Sequence, residues 1–379
     1  MSAPVRTSDA RTPTPAPAPP SGGPASGERA PGERASRGRA ALLIGGLAVA
    51  VVVLVVVSAG VGQLRIPPLE VLSSVLRRVG IETGLPVTHP NGESALWTVR
   101  FPRVTLGLLV GAGLAVGGVL MQGVFGNPLA EPGVVGVSSG AAAGACLVIV
   151  LGWTALGEWG VALAAFIGGL LATVLAYLTA RQNGRTEVVT LVLTGVAVNA
   201  VAGAVIALMT FLGDTQAREQ IVFWQLGSLN GTRWVQVGVA APLILLGIVG
   251  AGLVARRLDL LALGERSARH VGVDVERLRI GVIVLVAITT SAAVAFAGIV
   301  AFVGLVVPHV IRMLVGPAHR VLVPASVLGG AVVLLAADLV ARTVVPYADL
   351  PIGMLTAIVG GPFFFWLLRR TRRGAGGWS

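Results

Sequence analysis

The ionisable residues that fall within or beside long apolar runs are the ones with chemistry to offer: His309, Arg312, Asp338 and Arg342. A charge in hydrocarbon is costly unless it is paired or used. Asp338 is the only acidic residue well inside an apolar run, and Arg342, four residues on, would share its helix face. A satisfied ion pair is therefore preferred to a proton relay. His309 follows Pro308 and is read as hydrogen-bonded at a helix end, with a proton site as the alternative. Gln122, Asn127 and Asn199 either bond neighbouring helices or face a pathway. No nucleophile with a base, no metal-ligand cluster and no pair of membrane acids stands out, so neither a catalytic residue nor a metal is assigned. The single cysteine, Cys146, excludes an intramolecular disulfide. All 28 basic residues are arginine. A Walker A motif, whose lysine holds nucleotide phosphates, is absent, so any ATP that drives this chain is bound by another subunit.

The elements that must hold these residues are set by composition. Of 379 residues 55% are hydrophobic and only 12% charged, 52 are glycine, and the mean hydropathy is +0.86. That is an all-α, polytopic membrane protein. The net charge of +11 does not point to nucleic acid, because the arginines lie mainly between apolar runs and in the tails with few aromatic neighbours. Residues 1–39, rich in Pro, Ala, Gly, Ser and Arg, read as a disordered tail. A membrane domain follows over 40–368, with a C-terminal tail at 369–379. The run 40–64 is long enough to span, and the tail before it is too long for an ordinary signal-peptide n-region. Residues 65–99 read as a loop holding a short helix near Leu69 to Val79. Further runs cover about 104–126, 134–151, 159–180, 188–211, 234–255, 280–298, 302–316, 321–341 and 351–368, giving ten spans with a break expected at Ala297 and Gly298. Gly107 and Gly111, then Gly113 and Gly117, are each four apart and read as packing positions.

An even number of spans puts both tails on one side. With the tails inside, nineteen arginines fall on the cytoplasmic face and eight on the other, with Arg312 inside a helix. That asymmetry orients the chain. It also places the charged island 256–279, RRLDLLALGERSARHVGVDVERLR, in the cytoplasm. Leu261, Gly264, Ala268, Val271 and Val275 step by threes and fours, which predicts a helix with one small apolar stripe flanked by Glu265, Arg266 and Arg269. Gly272 should break it, and Asp274 could cap a second short helix. The spacing alone leaves open a plain interfacial connector.

Seven stretches in register resemble the FecCD-type permease subunits of ATP-binding-cassette importers for ferric siderophores, haem and cobalamin. They are VRFPR (99–103), GLAVGGVLMQGVFGNPLAEPGVVGVSSGA (113–141), FWQLGSL (223–229), LALGERSARHVGV (261–273), AGIVAFVGLVVPHVIR (297–312), LAADLVARTVVPYADLPIG (335–353) and GGPFFFWLLRR (360–370). The resemblance runs from about residue 42 onward. His270 and Val271 depart mildly from the family pattern, which commonly has a leucine-type residue before the glycine.

The resemblance implies the ten-helix type II importer architecture, with two permease subunits, identical or paralogous, in the bacterial cytoplasmic (inner) membrane. It implies that the island couples to cytoplasmic ATPase subunits through Leu261, Leu263, Gly264, Glu265, Arg266, Ala268, Arg269 and Gly272. Gly264 and Ala268 would let the partner approach while the charges orient it. It implies that an extracytoplasmic substrate-binding protein docks on Arg100, Arg103 and Arg342. Arg100 and Arg103 otherwise read as interfacial snorkelling. No cofactor is expected on this chain, ATP and Mg being held by the ATPase, and the chain is expected not to be an enzyme. The expected cargo is a ferric siderophore or similar iron chelate, with cobalamin or haem as the alternative. A wide route with no buried charge cluster suits such a cargo, and the loop from Gln182 to Thr190 with the helix that follows it is the candidate cytoplasmic gate. An ion-coupled secondary transporter would need intramembrane acids or broken helices in two related halves, and neither is evident.

Overall fold

Apolar runs of this length find no water in hydrocarbon for their backbone amides, so they close their hydrogen bonds locally as helices. The computed structural model describes residues 31–374 apart from 85–87, 154–156, 158 and 183. Helices α1 (Pro31–Gly60) and α2 (Pro68–Arg78) lead into α3 (Gly92–Ser94), a π-helical stretch at Ala95–Arg100, and α4 (Phe101–Phe125). Helices α5 (Val137–Leu151) and α6 (Trp159–Ala180) are followed by a minimal antiparallel hairpin of β1 (Arg181–Gln182) and β2 (Arg185–Thr186). Then come α7 (Val188–Leu212), α8 (Thr215–Leu226), α9 (Trp234–Leu261) and α10 (Glu265–His270). The chain closes with α11 (Val275–Ala297), α12 (Val303–Val315), α13 (His319–Ala341) and α14 (Ile352–Gly374). Among the described residues seven helices are long and apolar enough to span, and three shorter apolar ones, Val137–Leu151, Val303–Val315 and Ile352–Trp366, bring the number to the ten expected.

Several boundaries differ from the sequence reading. The part of the tail at 1–30 lies outside the described residues, but from Pro31 the backbone is already helical, nine residues before the apolar run. Glu33, Arg34 and the alanines there are adequate helix formers and extend a helix nucleated by the run behind them. The C-terminal tail likewise begins as helix, since α14 continues to Gly374; residues 375–379 lie outside the description. Helix α9 runs six residues past its apolar run.

Helix α4 is the axis of the bundle: 83% of its span is buried, against 17% for α7. Close approach makes this possible. A Cβ at Gly118 would stand 1.6 Å from the Gly304 carbonyl oxygen, and one at Gly111 2.3 Å from that of Gly330, so α12 and α13 touch α4 backbone to backbone. Gly107 and Gly111 face α13, while Gly113 and Gly117 face Thr289 and Thr290 of α11, which bears out their reading as packing positions.

Two breaks fall where the sequence left gaps between its apolar runs, the second at the expected Ala297 and Gly298. Helix α5 has 15 residues and α12 has 13; the first is preceded by a loop with one 3-10 turn at Pro132–Val135, the second by non-helical chain at 298–302. The segments meet where Pro132 packs on Gly117 and Gly304. Irregular backbone at such depth is tolerated when protein covers it.

Candidate functional site

The helices carry polar clusters at their two ends, and the hydrogen bonds show which ends lie together. At one end α1 finishes, α4 begins and α13 finishes. Arg100 donates to the carbonyls of Ala59, Gly60 and Leu64. Arg342 donates to those of Ser58 at 2.6 Å and Val61 at 3.0 Å. Two guanidiniums therefore satisfy the last carbonyls of α1, which have no partner within the helix.

Arg103 lies beside them and donates to Asp338 at 2.9 Å and to Asp349 at 2.7 Å. Asp338 is fully buried, and its second oxygen stands 3.4 Å from Arg342. The i,i+4 pair expected from sequence is thus present, but the shorter contact is to Arg103, 235 residues away. Arg100 and Arg103 are 7% and 9% exposed, which excludes snorkelling into solvent as their main role. The expectation of no buried charge cluster is overturned by the same residues. Arg100, Arg103, Arg342, Asp349 and Tyr347 line a cavity of about 430 Å³ at this end.

At the opposite end lie the island, the hairpin and the starts of α11 and α13. The helix expected from Leu261 to a break at Gly272 is divided once more, at Gly264, while the Gly272 break is where it was expected. Leu261 closes α9, Gly264 (φ 105) and Gly272 (φ 86) break the chain, and α10 spans only Glu265–His270. Gly264 adopts a conformation that other residues rarely reach, which spacing alone does not reveal. Asp274 caps a helix as expected, accepting from the Arg277 amide at 3.0 Å, but that helix is the long α11 rather than a second short one.

The exposure pattern sorts the island residues. Ala268 is 1% exposed and turned into the bundle with Leu261 and Val273, so it does not present a surface to a partner. Leu263 and Val271, at the two ends of α10, are 72% and 63% exposed. Glu265 accepts from Arg269 at 3.3 Å and from Arg279, whose side chain is buried. Arg279 also donates to the Thr186 carbonyl at 3.4 Å, and the Thr186 amide donates to Glu276 at 3.1 Å, as does its hydroxyl. Nearby, Asp259 at the end of α9 accepts from the His319 amide at 2.7 Å and pairs with its ring at 2.8 Å. Arg279, Glu276, Thr186, Asp259 and His319 were all missed by sequence reasoning. Thr186 stood in the Gln182–Thr190 loop and Asp259, Glu276 and Arg279 in the island, so only His319 lay outside a segment that drew attention, but the bonds from Thr186 to the island and from His319 to Asp259 join positions distant in the chain.

The uncharged candidates separate cleanly. The Gln122 amide donates to the Leu305 carbonyl at 3.2 Å, joining α4 to α12. Asn199 accepts from Ser139 at 2.5 Å and donates to the Gly133 carbonyl at 3.3 Å, joining α7 to α5 and the broken segment. Asn127 is exposed, and its side chain accepts from the Leu129 amide at 2.9 Å and closes its own turn. His309 lies in the middle of α12, not at its end, because Pro308 is accommodated inside the helix; its ring bonds the Pro128 backbone. Among the described residues no group of three or more His, Cys, Asp and Glu could hold a metal ion.

A family model described as the FecCD transport family matches residues 50–370. The hemin transport system permease protein of Yersinia pestis is 42% identical over 287 residues, which are 74% of this chain and 86% of the relative. The cobalamin import system permease protein of Halobacterium salinarum is 43% identical over 289 residues, 76% of each chain. A solved structure described as an inward-facing conformation of a metal-chelate type ABC transporter superposes with a TM-score of 0.76 at 32% identity, covering 86% of this chain and 98% of that one.

Proposed function

The chain belongs to the FecCD transport family, and from that premise we infer that it is a multi-pass permease subunit of an ATP-driven importer that passes a large metal chelate inward between two such subunits. It is not itself the enzyme of the assembly, since the lysine of an ATP-binding loop is missing. The observation that carries the coupling role is the pair of exposed apolar side chains, Leu263 and Val271, bracketing α10 on an otherwise charged turn between two spans. An apolar side chain held in water at such a place is what a groove on a separate ATPase would cover. The arginine asymmetry supports a cytoplasmic side for this end and both tails.

The test is Leu263→Asp. Co-purification of the ATPase and chelate uptake should both fall at least tenfold while the protein still reaches the membrane. Unchanged association would overturn the coupling role.

The opposite end is proposed to receive the binding protein at the cavity lined by Arg100, Arg103 and Arg342. Carboxylates on that partner would form charge-assisted bonds there, giving register to a reversible encounter. Because reversal of Arg103 also breaks its pairs with two aspartates, the cleaner probe is Arg342→Gln, scored as binding-protein capture beside the variant's own unfolding midpoint. Weaker capture at an unshifted midpoint supports docking, and undiminished capture removes it.

The named relatives carry hemin and cobalamin, so these two cargoes stand beside the ferric siderophore as equal candidates. Uptake of labelled haem, cobalamin and a ferric siderophore in a deletion strain complemented with this chain decides among them.

A further inference from the structure

The island helix α10 packs on α9 and α11, and the hairpin that joins α6 to α7 touches α11 through β2. One buried side chain bridges the two. Arg279, 7% exposed and one turn into α11, reaches Glu265 on α10 with one arm of its guanidinium and the Thr186 carbonyl with the other. Glu276, on the same turn, holds the amide and hydroxyl of that same threonine. Thr186 is thus gripped at its carbonyl, amide and side chain, and it is the last residue of β2, two before α7 begins.

We propose that Arg279 is a positioning residue that transmits movement of α10 to the hairpin and so to α7, acting as the latch between motor attachment and gate. This rests on the reading of α10 as the ATPase contact.

Three physical features support it. A fork with two donor arms can hold two elements at once, which a point charge on a flexible stem does less well. The link is short, as every step from α10 to β2 is a direct contact of one side chain. Its acidic end is half-solvated, with Glu265 45% exposed, so the pair can open and re-form without stranding a buried carboxylate. A second bond from Arg269 at 3.3 Å keeps Glu265 in place when Arg279 lets go.

The test uses Arg279→Met, which keeps the packing stem and removes the fork, together with Thr186→Val, which removes only the hydroxyl. Both are made in a Cys146→Ser background carrying a spin label at Gly184, reconstituted in nanodiscs with the ATPase. Distances between the labels of the two permease subunits are read with and without ATP and vanadate. In the parent the distribution should shift by several ångströms on nucleotide trapping. In Arg279→Met the ATPase should still associate within twofold of the parent while the shift is lost, and Thr186→Val should give an intermediate shift.

A full shift in Arg279→Met overturns the latch and leaves the ATPase reading intact. Failure of the parent to bind the ATPase overturns that reading instead. Should Arg279→Met not assemble, Thr186→Val alone decides: a shift equal to the parent's overturns the latch, and a reduced one at unchanged ATPase association upholds it.

Discussion

At one end of the bundle Asp338 is fully buried between Arg103 and Arg342; at the other Glu265 is 45% exposed between Arg269 and Arg279. Both are carboxylates held by two arginines, yet their surroundings make them different devices. The first group joins the start of α4, the end of α13 and the end of α1, all of which pack backbone to backbone or end to end. Opening it would strand charges in a low-dielectric interior, so it holds the end rigid. The second joins a six-residue helix, a two-residue strand and the first turn of a long helix, with water at hand to receive Glu265 while the buried Arg279 keeps its bond to the Thr186 carbonyl. Glu265 can exchange partners at little cost. A rigid end suits the reception of a binding protein, and a yielding one suits a joint.

The comparison breaks first at Asp338. Asp338→Ala leaves the Arg103 and Arg342 guanidiniums facing each other without the carboxylate, and should cost about 3–5 kcal/mol. Reversible unfolding in mixed micelles measures it, and Asp338→Asn, which keeps an acceptor for Arg103, should lose less. A loss below about 1 kcal/mol would mean that the cluster is hydrated and that the contrast between the ends is false.

The second expectation concerns Arg100. Removing it in Arg100→Ala strands the carbonyls of Ala59 and Leu64 and leaves that of Gly60 with the Ile66 amide alone, for a loss of about 1.5–3 kcal/mol, the range for bonds to charged groups. The same unfolding measurement applies. Protease sensitivity near the α1 end should rise in parallel, because Arg342 still holds Ser58 and Val61 but not the turn between.

A third substitution sharpens the island side. Asp259 serves as a helix cap supplied from another helix, accepting the amide of His319 at the first turn of α13. Asp259→Ala should destabilise by about 1 kcal/mol, less than either change at the opposite end. An effect as large as that of Asp338→Ala would show that the island end is no looser than the other.

How much of this was readable beforehand follows from the range of each interaction. The spans were legible because hydrophobic length is a local property, and α2, the α11–α12 break and the Asp274 cap were legible for the same reason. The Asp338–Arg342 pair was found because four residues is one helical turn. Its stronger partner Arg103 was not, since nothing in a single sequence ties positions 103 and 338 together. The gaps at 126–136 and 298–302 were legible as interruptions between apolar runs, but their meeting was not, since only the contacts of Pro132 with Gly117 and Gly304 bring the first gap against α4 and α12. On the island, spacing predicted a helix through Gly264, and a positive φ at that residue decided against it. That same turn is what lets Leu263 stand out into water while Ala268 turns inward.

The smallest expected effect tests whether solvent exposure is what separates the two ends. Arg269 and Glu265 form an i,i+4 pair with side chains 48% and 45% exposed. Such a pair gains little, because water screens the attraction and ordering two long side chains costs entropy. Arg269→Ala should therefore change stability by less than about 0.5 kcal/mol, and what change there is should vanish by about 1 M salt, where the screening length falls to about 3 Å. The Asp338→Ala loss should persist in that same salt, since buried charges are screened far less. If the two variants instead respond alike to salt, the burial of the Arg103 cluster is not what fixes it, and the division into a rigid end and a yielding one has no physical basis.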